Sequence, residues 1–207
     1  MIESFVVGGS IMWMILVLSI VSFAVVIERL WFFKQSSCDP EKLEVEVGKA
    51  LFEKNDNELH KLLDKQKSSM HRLFSVAINH WSTDTEDMKL LLNQQVRREL
   101  YRWEKHLFVL EIIGKIAPLL GLLGTVLGMS EMFQSLHLGG QVSSTAVTGG
   151  IWKALFTTIA GLTVAIPTIF VHGILTSRID NQEETLNRAA DFLIREQLLR
   201  SESNEKK

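Results

Sequence analysis

The chain has 207 residues, 46% of them hydrophobic and 22% charged, with a formal net charge of −2 and one cysteine. The near-neutral balance argues against a nucleic-acid binder, which carries a clear basic excess. The lone thiol, Cys38, excludes an internal disulfide and is given no role.

Ser4–Ile27 is uncharged for 24 residues, long enough to cross roughly 30 Å of hydrocarbon as a helix. A cleaved signal peptide explains this start poorly, because no basic stretch precedes it and the apolar run is too long. Beyond it, Asp39-Pro40 supplies an N-cap with proline at the first helical position. Asn55-Asp56-Asn57 reads as a break, Leu59, Leu62 and Leu63 resume the apolar pattern, and a further run covers Leu73 to Trp81. Thr83–Glu86 fits a capping box. The helix it opens carries the stripe Leu92, Val96, Leu100, Trp103, Leu107, Leu110, at the spacing of helical packing. Arg97, Arg98 and Glu99, between stripe positions, read as a solvated face. With no strong stop before Pro118, one long helix is expected to run into the next membrane span.

That span centres on IAPLLGLLGTVLGMS, residues 116–130, fifteen residues without a charge. Extended to 112–136 it takes in Lys115 and Glu131, which can reach toward opposite interfaces. Gly121, Gly124 and Gly128 recur along it. Gly124 and Gly128 form a GxxxG pair that flattens one face for close packing on other helices. Ala154–Ser177 is a third uncharged run of 24 residues. Gly161 and Ala165, four apart, make a packing face on it. Pro118 and Pro167 are expected to kink their helices. Ile179, Leu186, Ala190 and Leu193 suit a helix continuing from the third span and packing on a neighbour, and the final SESNEKK is expected to fray.

The fold class is therefore an all-α membrane protein. It has three transmembrane helices with long cytoplasmic helical extensions. The divisions are an outer N-terminus with the first span (1–33), a cytoplasmic helical domain (34–105), a two-span hairpin (106–177) and a cytoplasmic C-terminal helix (178–207). Residues 1–28 and 116–152 contain no Lys or Arg. The positive-inside rule thus puts the N-terminus and the 137–146 loop outside, and the large segment and C-terminus in the cytoplasm. Trp13, Trp31 and Trp152 are candidate interface anchors.

LEIIGKIAPLLGLLGTVLGM at 110–129 and ALFTTIAGLTVAIP at 154–167 resemble the signatures of the MotA/TolQ/ExbB proton-channel family. The chain order is similar too: one span ending in Glu-Arg-Leu, a cytoplasmic helical domain, then a two-span hairpin. The resemblance implies a pentameric ring in the bacterial inner membrane. The ring would enclose the single-span helices of an ExbD-like partner and use the proton motive force to energise a TonB-like protein. The compact chain leans toward an ExbB-like subunit; the alternatives are a TolQ-like subunit energising TolA, or a non-conducting membrane scaffold. The resemblance assigns the proton pathway to Thr125 and Thr158.

The residues themselves point to a shared channel. Moving protons across hydrocarbon uses a titratable group at mid-depth, and the second and third spans offer no Asp or Glu there. His172 lies inside an apolar run but toward one end, and is as readable as a helix–helix hydrogen bond as a relay. What remains is hydroxyls: Thr125, Thr157, Thr158 and Thr163. They can hold water or pass a proton but do not titrate. The carboxylate should come from another chain, and in the family it is an aspartate of the partner. Thr157 is expected to pack. Glu131 and Lys153 form a pair of outer-mouth charges. Lys153 departs from an often acidic family position and could pair with Glu131 of the same or a neighbouring subunit. An enzyme is disfavoured: no metal-ligand cluster and no Gly-rich loop with Lys-Ser/Thr suggests a metal, cofactor or nucleotide. Proton versus sodium stays open.

Overall fold

A computed structural model describes residues 9–36, 43, 45–49, 68–139 and 144–205, with side chains omitted at 35, 135–139, 144–146 and 200–205. The readings at Cys38, Asp39-Pro40, Asn55-Asp56-Asn57 and Leu59–Leu63 lie outside the described residues. Everything assigned is helical: α1 Gly9–Ser36, α2 Ser69–Asn79, α3 Thr85–Glu104, α4 Leu107–Gly139 and α5 Ser144–Glu205. Three stretches are long and apolar enough to cross a membrane: Gly9–Lys34, Leu107–Gln134 and part of Val147–Leu199. The chain is an all-α membrane protein with three candidate spans.

It divides into two compact units. The first combines α1 as far as Arg29 with His106–Leu175. Inside it, Ile11, Met12, Ile15, Leu107, Leu110, Ile113, Ala117, Ala165 and Leu175 are buried, while Val17, Ile20, Leu119, Leu122, Val126, Leu155, Ile159 and Ile166, among others, are exposed. An apolar exterior is what a bilayer solvates, so this unit is inside out relative to a water-soluble core.

The second unit combines Leu30–Lys105 with the chain from Thr176 onward. Its core joins Leu43, Val47, Met70, Leu73, Phe74, Ala77, Met88, Leu92 and Val96 to Leu186, Ala189, Ala190 and Leu193. The stripe on α3 and the heptad-spaced residues of α5 thus meet each other. Phe33 packs edge-on against Trp103, with ring centroids 4.6 Å apart, and the Trp103 indole N–H donates to Ser69 Oγ at 2.8 Å. Gln197 Nε2 donates to the carbonyls of Trp81 (3.2 Å) and Thr83 (2.7 Å), pinning the turn between α2 and α3.

Four local expectations are corrected. The long helix into the second span is interrupted: α3 stops at Glu104, Lys105 is extended, and His106 takes a left-handed φ of 65° before α4 begins. Glu28 holds this joint, its carboxylate 3.0 Å from His106 Nδ1. The N-cap of α3 is Asp84 rather than Thr83, and no side-chain capping bond forms there. α5 carries on through Ser201–Glu205, where no glycine or proline stops it. Glu99 is fully buried, not solvated. It accepts from Arg72 Nε (2.9 Å) and Nη2, Arg102 Nη1 (2.9 Å) and Gln95 Nε2 (2.8 Å), so its charge is paired and its lone pairs are filled. Arg97 and Arg98 do face outward.

Candidate functional site

The site is built on the α4–α5 hairpin, where the absence of side chains on α4 lets α5 approach its backbone. A Cβ placed on Gly121 would lie 3.0 Å from the Thr157 carbonyl oxygen and 3.0 Å from the Thr158 Cα. On Gly124 it would lie 2.6 Å from the Thr157 Cβ, and on Gly128 3.3 Å from the Ala154 Cβ. From the other side, a Cβ on Gly161 would meet the Ala117 carbonyl oxygen at 2.5 Å. Real Cβ atoms do not sit under 3.0 Å from such neighbours. The glycines of both helices therefore form one interdigitated seam, with Ala117 and Ala165 buried along it. Pro118 and Pro167 lie inside helices that continue past them.

The hydroxyls sort by face around this seam. Thr157 is buried and donates to the Ala154 carbonyl at 2.7 Å, a packing residue facing Gly124. Thr158, half-buried, donates across the seam to the Gly121 carbonyl at 3.1 Å. Thr125, also half-buried, stands one turn further along α4 from Gly121 and donates to the Leu122 carbonyl at 2.6 Å. Each hydroxyl has one proton, and here that proton is held by a backbone carbonyl. What Thr125 and Thr158 present outward is oxygen lone pairs. Thr163 is exposed and bonds only its own helix, at the Ile159 carbonyl (2.8 Å).

The charges stand at the ends. Lys153 Nζ donates to Glu131 Oε2 of the same chain at 2.6 Å, with the glutamate well exposed. Trp152 stacks on Phe156 beside this pair. At the other end Lys115 Nζ reaches Glu111 at 2.6 Å, and His172 is engaged rather than isolated. Trp13, Trp31 and Trp152 are all exposed. No cluster of three His, Cys, Asp or Glu that could hold a metal occurs among the described residues.

One polar pair escaped the sequence reading. Ser22 Oγ and Thr168 Oγ1 are buried 2.7 Å apart and join α1 to α5. The available signal was a hydroxyl directly after Pro167 and another in mid-span of the first helix.

The model of the MotA/TolQ/ExbB proton channel family matches residues 65–188. The chain is 31% identical over 172 residues to a putative biopolymer transport protein ExbB-like 3 of Synechocystis sp., covering 82% of each chain. A second Synechocystis protein, putative biopolymer transport protein ExbB-like 1, is 32% identical over 86% of this chain and 71% of its own. The biopolymer transport protein exbB1 of Vibrio cholerae is 30% identical over 65% of this chain and 62% of its own. The matched region takes in the glycine seam and both half-buried threonines, and the chain belongs to the MotA/TolQ/ExbB proton channel family.

Proposed function

We propose that this chain is an ExbB-like subunit of an inner-membrane proton-driven motor, with its N-terminus periplasmic and its C-terminus cytoplasmic. Five copies surround the helices of a single-span, ExbD-like partner, and proton flow between them energises a TonB-like protein. The observation that carries the reading is the state of Thr125 and Thr158. Both are half-buried beside the glycine seam, both have their protons committed to carbonyls, and residues 112–130 and 154–177 contain no Asp or Glu. Such a surface accepts a hydrogen bond from a protonated carboxylic acid but does not itself titrate. A partner carboxylate arriving in neutral form would be stabilised there and would have to leave the hydroxyls to ionise.

The exposed apolar faces support the assembly. The glycine seam is used up within the chain, yet Leu119, Leu122, Val126, Leu155, Ile159, Leu162 and Ile166 remain outward. Neighbouring copies, the partner and lipid would cover them. No nucleotide, metal or cofactor enters this mechanism; the energy source is the ion gradient.

Thr158→Val tests the reading, because valine keeps the shape and removes the hydroxyl. In liposomes holding this chain with an ExbD-like single-span protein, gradient-driven proton uptake should fall at least about ten-fold, corresponding to ~1.4 kcal/mol. Native mass spectrometry should show the same oligomer. Unchanged uptake by an intact oligomer would sink the proposal and favour a non-conducting scaffold.

A further inference from the structure

We propose that the groove between α1 and α5 is a water-binding site at mid-membrane depth, where water replaces the N–H that Pro167 lacks. The groove has a volume of about 210 Å³, and its lining includes Ser19, Ser22, Phe23, Thr163, Pro167 and Thr168. At ~30 Å³ per molecule it has room for several waters. Ser22 lies in the middle of the Gly9–Lys34 span, far from any headgroup.

Counting protons fixes what the groove can bind. Thr168 donates its only hydroxyl proton to the Val164 carbonyl at 2.7 Å. Ser22 must then be the donor in the 2.7 Å Ser22–Thr168 bond, which leaves its own oxygen as an acceptor. Thr163 likewise gives its proton to the Ile159 carbonyl. The carbonyl of Thr163 is the one that residue 167 would serve in a regular helix, and proline has no N–H to offer. The few polar atoms in this otherwise apolar groove are therefore acceptors without a donor to match. A lipid tail brings no donor. An ion would face a set of neutral oxygens with no counter-charge at a depth where charge is costly. Water supplies two donors without charge, and ordered water is one of the groups that satisfies proline-freed carbonyls in membrane helices.

The site is separate from the threonine pair. Pro167 follows Thr158 by nine residues, about two and a half turns, so the groove lies on the opposite face of α5. Hydration there would let α5 bend at Pro167 without stranding a backbone acceptor in hydrocarbon.

Cysteine accessibility in a Cys38→Ser background tests this, in the full chain reconstituted in liposomes. Ser19→Cys and Val26→Cys report on two points of the groove lining. Val17→Cys, two residues from Ser19 and 56% exposed, reports lipid contact at similar depth. Thiols ionise and react where water reaches them. A charged methanethiosulfonate should modify at least one groove cysteine ten-fold or more faster than Val17→Cys. Adding Pro167→Ala, which returns the N–H, should slow it. Groove cysteines as protected as Val17→Cys would overturn the proposal, and a rate indifferent to Pro167→Ala would overturn the assignment of water to the Thr163 carbonyl.

Discussion

A graded series of glycine-to-alanine substitutions tests the hairpin seam most directly. In Gly161→Ala the new methyl would meet the Ala117 carbonyl oxygen at 2.5 Å, and ordinary contact begins near 3.4 Å. The obstacle is backbone, which cannot rotate away, so the helices must part by about 1 Å. A gap of ~0.5–1 Å forfeits a quarter to a half of each dispersion contact it opens, and overpacking of this kind costs about 1–3 kcal/mol. Alanine recovers up to about 1 kcal/mol of helix propensity. The net loss for Gly161→Ala is then about 1–2 kcal/mol. Gly124→Ala, 2.6 Å from the Thr157 Cβ, should behave similarly, and Gly128→Ala, at 3.3 Å from a side-chain methyl, should be close to neutral. Gly173 has nothing within 4 Å, so Gly173→Ala keeps only the propensity gain and should stabilise by about 0.5–1 kcal/mol. Thermal unfolding of the purified chain, followed by loss of the monodisperse chromatographic peak, reads the order. At roughly 2–4 °C per kcal/mol, Gly161→Ala and Gly173→Ala should differ by several degrees. Equal melting temperatures for these two would show that the seam is not tightly packed.

Glu99→Ala strips the shared acceptor from Arg72, Arg102 and Gln95. The two arginines are 31% and 52% exposed and can rehydrate, so the loss should be about 2 kcal/mol rather than the ~3–5 of a fully buried pair. Arg97→Ala, on the outward face, should stay within about 0.5 kcal/mol of the parent; equal effects at both positions would contradict the buried network. Burial pushes the His71 imidazole below its ordinary value of 6.5, against the opposing pull of Glu46 and with a smaller push from Arg72. The unfolded chain therefore binds the proton more readily, and stability should decline as pH falls below 6.5. Melting temperatures of the parent and His71→Leu across that range should diverge in slope, and parallel curves would remove His71 from the account. The Glu131–Lys153 pair is exposed on the glutamate side, so a double-mutant cycle should give less than about 1 kcal/mol and shrink in ~0.5 M salt.

Three spans and the hairpin seam were legible because both signals are local. An uncharged run of helical length needs no partner to be recognised, and glycines three and four apart fall on one face whatever they meet. The stripe on α3 was legible for the same reason. Glu99 was misread although it sits in the phase of that stripe, seven residues after Leu92 and three after Val96. What makes burial tolerable is Arg72, on a different helix, and no window around residue 99 contains it. The break at Lys105–His106 carries neither glycine nor proline. It depends on His106 in a left-handed conformation and on Glu28, 78 residues earlier in the chain. Ser22 and Thr168 are each one of several hydroxyls in an apolar run, and nothing local singles them out. Their pairing across 146 residues is a fact of tertiary packing alone.

The arrangement of protons narrows how such a hairpin can serve ion transport. Thr125, Thr157, Thr158, Thr163 and Thr168 all donate to backbone carbonyls within the membrane unit. The fixed charges at its ends, Glu131 with Lys153 and Glu111 with Lys115, are paired within the chain. These threonines thus show incoming groups oxygen lone pairs. A surface of that kind lowers the energy of a neutral acid and gives nothing to its conjugate base. Any cycle that loads a proton at one end and releases it at the other must then move the acid relative to the hydroxyls between the two events. None of these threonines titrates, so on the proposed function the titrating group comes from the partner. On the proposed function the carboxylate belongs to a partner helix, and motion of that helix relative to this chain would then accompany the transport step.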